Sequence, residues 1–505
     1  MDKTEAINAI LDTVKDGVLT YEMKVNTLAK QAENLLDVLS ISEPIQKYRD
    51  AGVICDLYEG NAPYRPRYIV PDYEKFMAEG CDFLNLSPAE DLYDAINNLQ
   101  IIYRHVPSIT TFPVYIGNID TLLEPFVTSG KHTETESLAA IKRFLKYIDR
   151  TITDSFCHGN IGPVETLTGR LILKAERELQ DSIPNITLKF GAETSESFAI
   201  DAVETSLITA KPSFSNHEMY SEDFGERYAI VSCYNGLPIG GGSLTLVRLV
   251  LARLAEQTES VEVFLTELLP DAVEKMIAYM DERIRFLMED VKFFDHHFLA
   301  KEGLISADKF TAMFGMVGLA EAVNRFMPEG QRFGHSEDAE ALGLRIMEII
   351  DSEVSKYHNP HLKGSDGKYL LHAQVGIDTD FGISPGVRIP IGEEPSIYEH
   401  LFNAQKFHKY FPSGVGDIFT FDQTVNANPT YILNLIKGAF KNKMRYISFY
   451  GADADVIRIT GYLVKKSEIE KLSRGEAVLR DTVVLGKGAV DNAKVLERKV
   501  RGISE

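Results

Sequence analysis

The chain is expected to fold as an α/β protein, and three observations carry that expectation. Short β-rich runs alternate with stretches of helical spacing, the order in which strands are each covered by a following helix. The 505 residues suffice for one large barrel with additions, or for about two to four domains. No internal repeat, low-complexity segment or apolar run near the roughly 20 residues needed to span a bilayer is present.

Taken in order, Ile7, Ile10, Leu11 and Val14, then Met23, Val25, Leu28, Ala29 and Leu35, predict two amphipathic helices. Asn61 to Arg67 is a proline-marked loop, followed by a helix ending near Gly80. Ser87, Pro88 and Glu90 have the residue types of a helix start, serine as cap and proline in the first turn, for a helix reaching Arg104. His105 and Pro107 lead into Ile109–Ile116, expected as a strand made irregular by Pro113 and ended by Gly117. A helix over Glu136–Ile148 precedes a polar loop from Asp154 to Gly162 that holds Cys157, His158 and Asn160. A helix over 164–179, a strand over Pro184–Phe190 and a helix over Ser195–Ala210 follow.

Tyr228–Val231 is an apolar run leading into Ser232, Cys233, Tyr234 and Asn235. Gly240, Gly241 and Gly242 precede a predicted helix from Ser243 to Gln257, where they would give loop flexibility or cradle an anion. Arg248 and Arg253 on that segment would pair with carboxylates or bind phosphate. Helical spacing continues from Val261 to Asp290. Asp295, His296 and His297 are poorly spaced for one metal on one helix face. Phe314–Val323 is expected as a strand running into a helix, and a helix from Ser336 to Lys356 places His358 at its C-terminal end. Asp378, Thr379, Asp380, Arg388, Glu393 and Glu394 lie in an irregular stretch. Phe419 and Phe421 mark a strand, Asn428 and Pro429 start a helix ending near Asn442, and Met444–Tyr450 is the last strand before a glycine-containing turn. Lys465–Glu505 is a charged tail expected to cover that turn.

Lys and Arg number 53 against 74 Asp and Glu, and the balance of −21 argues against wide contact with nucleic acid or anionic membrane. Small-molecule chemistry is the class left. Cysteines 55, 81, 157 and 233 form no Cys-x-x-Cys pair, so neither a zinc site nor a disulfide framework is indicated, and no bound metal is expected. With no basic start or apolar run of a secretory signal after Met1, reduced thiols in a cytoplasm are expected.

The turn Arg458, Ile459, Thr460, Gly461, Tyr462 would ordinarily be a strand breaking at a glycine. It also resembles the C-terminal loop of the glycyl radical enzymes: arginine, aliphatic, small residue, glycine, aromatic. A glycine α-carbon between an amide nitrogen and a carbonyl delocalises an unpaired electron, and a side chain would twist that planar centre. Upstream, Pro184–Phe190, Pro212–Glu218, the run into Cys233 and Gly241–Arg248 resemble the strand, loop and thiyl-cysteine segments of pyruvate formate-lyase and anaerobic ribonucleotide reductases. Alone, a cysteine ending an apolar strand is usually a small buried hydrophobe. Beside the glycine loop it resembles the family's hydrogen-abstracting thiol.

The likeness spans about Pro184 to Leu463, with weaker similarity upstream, and is nearest to the compact YjjI-type glycine radical enzymes. It implies a ten-stranded barrel of two five-stranded halves surrounded by helices. The division would be an N-terminal helical region over 1–60, a barrel with the cysteine loop over 61–440, and a glycine-radical region with tail over 441–505. It implies anaerobic, oxygen-sensitive chemistry on a small molecule. Gly461 would store a radical installed by a separate activase carrying S-adenosylmethionine and an iron–sulfur cluster, and Cys233 would form the thiyl. A homodimer is implied as well.

The subgroup patterns do not fit. Ser232 stands where pyruvate formate-lyase has a second cysteine, Asn235 where eliminases have glutamate, and the zinc cysteines of the reductases are missing. The substrate is therefore open. Nucleotide reduction, and a catalytically silent metabolite-binding barrel, are the alternatives. His105, His158, Asn160, Asn235 and Glu394 are the candidate substrate contacts, chosen from expected loops and strand ends.

Overall fold

Strands form where β-branched and aromatic residues cluster between turn residues. The computed structural model describes residues 3–33, 38–57, 64–106, 108, 113–152, 156–375 and 380–503. Among them the strands are β1 (Ile54–Cys55), β2 (Tyr68–Val70), β3 (His158–Ile161), β4 (Asn185–Phe190), β5 (Ser213–Asn216), β6 (Tyr228–Val231), β7 (Asn235–Pro238) and β8 (Gly241–Val250). They continue with β9 (Phe310–Val317), β10 (Leu370–Ala373), β11 (Asp417–Phe421), β12 (Tyr446–Gly451), β13 (Val456–Arg458), β14 (Leu463–Lys465) and β15 (Val500–Arg501).

One sheet runs β1-β8-β9-β10 with β2 also against β8, and a second runs β15-β11-β12-β5-β4-β3. Within them β8, β9 and β10 are parallel, as are β3, β4 and β5, while β12 meets β5 antiparallel. Every residue of β3, β5, β8, β9 and β12 is buried, as expected for strands covered on both faces. Helices Leu167–Leu179 and Glu196–Thr209 pack on each other beside the second sheet, and Leu269–Arg285 packs on β8. The hairpins β6-β7 and β13-β14 stand outside both sheets and carry the residues of interest at their turns.

Several helices lie where spacing and caps put them. Lys3–Lys15 and Tyr21–Glu33 are the two N-terminal helices, and Tyr73–Glu79 stops at Gly80, whose φ is 80°. Glu134–Thr151 begins with a capping box between Thr133 and Glu136. The helix expected from Ser87 instead starts at Leu92, because Asp91 accepts the Tyr93 and Asp94 amides.

The expected helix over Ser243–Gln257 is strand β8, with a helix only over Leu251–Ala255. A continuous apolar run fits a buried strand as well as a buried helix. Here β1 and β2 on one edge and β9 on the other take its backbone groups. The glycines before it admit neighbouring backbone rather than an anion: a Cβ on Gly241 would lie 2.0 Å from the Lys309 carbonyl oxygen. The polar loop expected around His158 and Asn160 is likewise a strand, β3, paired with β4. Val114–Ile116 is not a strand, and only Asn118 bridges to Asn160. Leu35, Asn61 to Pro63, Pro107, Ile109 to Phe112, Asp154, Asp378 and Thr379 lie outside the described residues.

Candidate active site

The β6-β7 hairpin turns through Ser232, Cys233 and Tyr234. Ser232 adopts φ of 59°, a left-handed conformation uncommon for serine, and the Cys233 amide donates to the Val231 carbonyl at 2.6 Å. Outside supports hold the turn. The Asn160 side chain donates to the Ile230 carbonyl (2.8 Å) and accepts from the Ile230 amide (2.9 Å), copying a strand pairing. Gly236 donates to the Ser413 carbonyl, and the Tyr220 hydroxyl donates to the Tyr234 carbonyl at 2.6 Å.

The β13-β14 hairpin closes with the Ile459 amide on the Tyr462 carbonyl at 3.0 Å, leaving Thr460 and Gly461 at its tip. Buried Arg458 donates to Asn185 Oδ1 and the Ala210 carbonyl, each at 3.0 Å. Asn185 Nδ2 reaches the Gly461 carbonyl at 3.4 Å. From the tail, Arg498 donates to the carbonyls of Arg458 (3.2 Å) and Ile459 (3.3 Å), while Ala489 joins the apolar cluster of Ile457, Ile459 and Tyr462. The tail thus packs over the glycine loop.

The two tips meet. A Cβ built on Gly461 would lie 2.3 Å from Cys233 Cβ, 3.0 Å from its Sγ and 3.2 Å from Val375 Cγ1. No side chain fits at position 461 without displacing the cysteine, although its φ lies outside the left-handed region that favours glycine. Cys233 is 3% exposed among Tyr220, Tyr228, Ile230, Tyr234, Val375 and Tyr446. Burial pushes its thiol up to about 11, so sulfur keeps its hydrogen at neutral pH. That S–H donates to Asn235 Oδ1 at 2.9 Å, and Asn235 Nδ2 is buried with no hydrogen-bond partner among the described residues.

Around the pair, His158 Nε2 bonds Thr187 Oγ1 (2.7 Å), which bonds the Tyr446 hydroxyl (2.9 Å). Burial pushes His158 down to about 3, leaving it neutral. A cavity of about 550 Å³, counting its open mouth, adjoins the glycine loop and is lined by Asp380, Arg388, Glu394, Ile459, Thr460 and Arg498. Glu394 accepts the Gly392 amide at 2.8 Å, and the Arg388 guanidinium lies 5.7 Å from the Tyr234 ring centre.

Of the residues singled out from sequence, the structure gathers Gly461, Cys233, Asn235 and His158, with Glu394 at the adjoining cavity. It does not bring His105 there: that ring is exposed and edge-on to Phe298 at 6.4 Å. Asn160 is near, but both ends of its amide are spent on Ile230, so it supports the hairpin instead of meeting a ligand. Asn185, Thr187, Arg388, Tyr446 and Arg498 went unnoticed as site residues. For two of them a signal existed: Asn185, Thr187 and Lys189 alternate with Ile186, Leu188 and Phe190, giving β4 one polar face. Among the described residues no group of three His, Cys, Asp or Glu is placed to hold a metal ion, and no helix is long and apolar enough to cross a membrane.

The sequence profile of the YjjI-like glycyl radical enzymes matches residues 19–501. A Haemophilus influenzae protein named "Uncharacterized protein" is 45% identical over 506 residues, covering 98% of each chain. "Uncharacterized protein YjjI" of Escherichia coli is 41% identical over 496 residues, covering 97% of this chain and 95% of its own. Among solved structures, the anaerobic ribonucleotide reductase of Thermotoga maritima in complex with dATP and CTP superposes with a TM-score of 0.71 at 13% identity, over 93% of this chain and 94% of that one. The glycerol-bound B12-independent glycerol dehydratase of Clostridium butyricum does so with 0.70 at 11% identity, over 99% and 88%. These two likenesses establish a shared α/β fold.

Proposed function

The chain belongs to the YjjI-like glycyl radical enzymes, and on that premise we propose that Gly461 stores the radical and Cys233 carries it to substrate. The observation that carries this assignment is the contact of the two tips, with the Gly461 α-carbon packed against the Cys233 side chain. In the cycle, the Gly461 radical takes the hydrogen of the Cys233 S–H, restoring a glycine C–H and leaving a thiyl. The thiyl takes a hydrogen atom from a substrate carbon. The rearranged product radical recovers that hydrogen from the thiol, and the new thiyl regains one from Gly461. Atoms and electrons balance without an external reductant.

The protonated state of Cys233 supports this reading, since a hydrogen-atom donor must hold its hydrogen. Asn235 aims the S–H and offers its free Nδ2 to a substrate oxygen, the Thr187-linked His158 lies buried beside the pair, and Glu394 lines the cavity next to the glycine loop. The two larger sheets, of five and six strands, are the walls of a barrel around both hairpins; the region over 1–60 supplies helices and β1, and the region over 441–505 supplies β12 to β15 and closes it. The radical is installed by a separate S-adenosylmethionine and iron–sulfur activase. The enzyme works as a cytoplasmic homodimer on a small molecule, without nucleic acid, membrane or resident metal.

The test is electron paramagnetic resonance after anaerobic activation by a partner activase. Gly461→Ala should give no organic radical, whereas Cys233→Ser should give the full signal and no turnover. An undiminished signal in the alanine variant rejects Gly461 as the radical site.

A further inference from the structure

Arg248 and Arg253 are not consumed by the radical chemistry, and their surroundings carry a separate inference. Both line a cleft together with Arg49, Cys55, Asp56 and Asp380, enclosing about 660 Å³ of empty space open to solvent. Arg248, on β8, is 2% exposed and grips Asp380 through both terminal nitrogens, Nη2 at 2.8 Å. Its Nε remains buried without a hydrogen-bond partner. Arg49 is matched by Asp56 at 3.0 Å, and that carboxylate also accepts the Tyr279 hydroxyl at 2.7 Å. Asp50, also lining the cleft, accepts the Gln46 amide at 2.7 Å.

Arg253 has neither an ion pair nor a hydrogen bond among the described residues. Its guanidinium lies across Gly52, where φ is 66° and a Cβ would come within 1.9 Å of Nη1, so it is set in place by packing. The unmatched Arg253 guanidinium and the Arg248 guanidinium, which meets Asp380 and the Cys55 thiol, border one solvent-open cleft. What satisfies both is an acceptor with at least two oxygens and negative charge, because guanidinium groups bind carboxylate and phosphate through paired N–H···O bonds.

We infer that this cleft binds the oxyanion of a small molecule, a phosphate or a carboxylate, on Arg253 and Arg248. Asp380 lines both this cleft and the cavity beside Ile459 and Thr460, so an anion on Arg248 competes with a carboxylate that faces the glycine loop. Anion binding here is a property of the unactivated chain and does not depend on the radical assignment.

Isothermal titration of unactivated protein with inorganic phosphate, and separately with malonate, tests it. Gly461→Ala protein serves in parallel, so that failure of the radical reading leaves the result intact. Saturable binding of one equivalent of either anion is expected, and the tighter anion identifies the headgroup. Arg253→Gln should weaken it about tenfold or more, with partial recovery in Arg253→Lys. Lys142→Gln, which removes a cation paired with Glu178 outside the cleft, should retain binding. Absence of saturable binding by both anions, or unchanged affinity in a folded Arg253→Gln protein, overturns the proposal.

Discussion

Cys233 is set up to keep its hydrogen and to be reached by little else. Its neighbours are apolar or aromatic, its S–H is committed to Asn235, and burial lifts the thiol to about 11. A free thiol near 8.5 has a thiolate fraction at neutral pH about 300-fold larger, and only thiolate is alkylated. Iodoacetamide on native, unactivated protein should therefore modify half-buried Cys55 and spare Cys233, Cys81 and Cys157, with all four reacting in denaturant. Mass spectrometry of the peptides reads this directly, and rapid native labelling of Cys233 would contradict its enclosure. The sequence made this residue legible through its resemblance beside the glycine loop, since the apolar run before it alone marks only a buried cysteine. The hydrogen bond to Asn235 was not legible, because it depends on a turn in which Ser232 takes a left-handed conformation.

At the scale of elements, the site is two hairpin tips pressed together by supports drawn from distant strands. The Asn160 amide replaces a strand neighbour for Ile230, so Asn160→Ala leaves a buried N–H and a buried C=O without partners. Each such group costs about 1–3 kcal/mol, and a loss of about 2–6 kcal/mol in urea unfolding is expected. A variant as stable as the parent would mean that the hairpin is held by other contacts. This support explains why Asn160 looked like a ligand contact from sequence: a polar residue among Cys157, His158 and Gly159 resembles a loop, yet its strand is polar because its side chains serve the interior. The opposite error occurred at β8, where Leu244, Leu246, Val247, Leu249 and Val250 suit a buried helix or a strand equally. Tertiary neighbours decided both cases. Where alternation was clear, as in β4 with its polar and apolar faces, the element was read in place.

For the whole molecule, sequence disclosed an α/β chain with a remote glycine and cysteine and a tail over the glycine loop, while the sheet order came only from folding. The same burial that protects the site makes stability depend on pH. His158, His372 and His408 are each pushed down to about 3 by burial, on β3, on β10 and at the end of the Ile397–His408 helix. Their unfolded value is about 6.5, so between about pH 3 and 6.5 the unfolded chain binds more protons and stability falls on acidification. Asp120 works against them: burial lifts it to about 6, so its contribution is present at low pH and is lost as pH rises through that value. The total slope is a difference, and a single variant isolates one group. His408 accepts the Arg445 amide through Nδ1 at 2.9 Å, a bond a glutamine oxygen can replace. His408→Gln should flatten the pH dependence of unfolding free energy between about pH 4 and 6 by about 1.4 kcal/mol per pH unit, measured as urea midpoints across that range. Parallel curves for parent and variant would mean that His408 titrates alike in both states and is not held neutral by the fold.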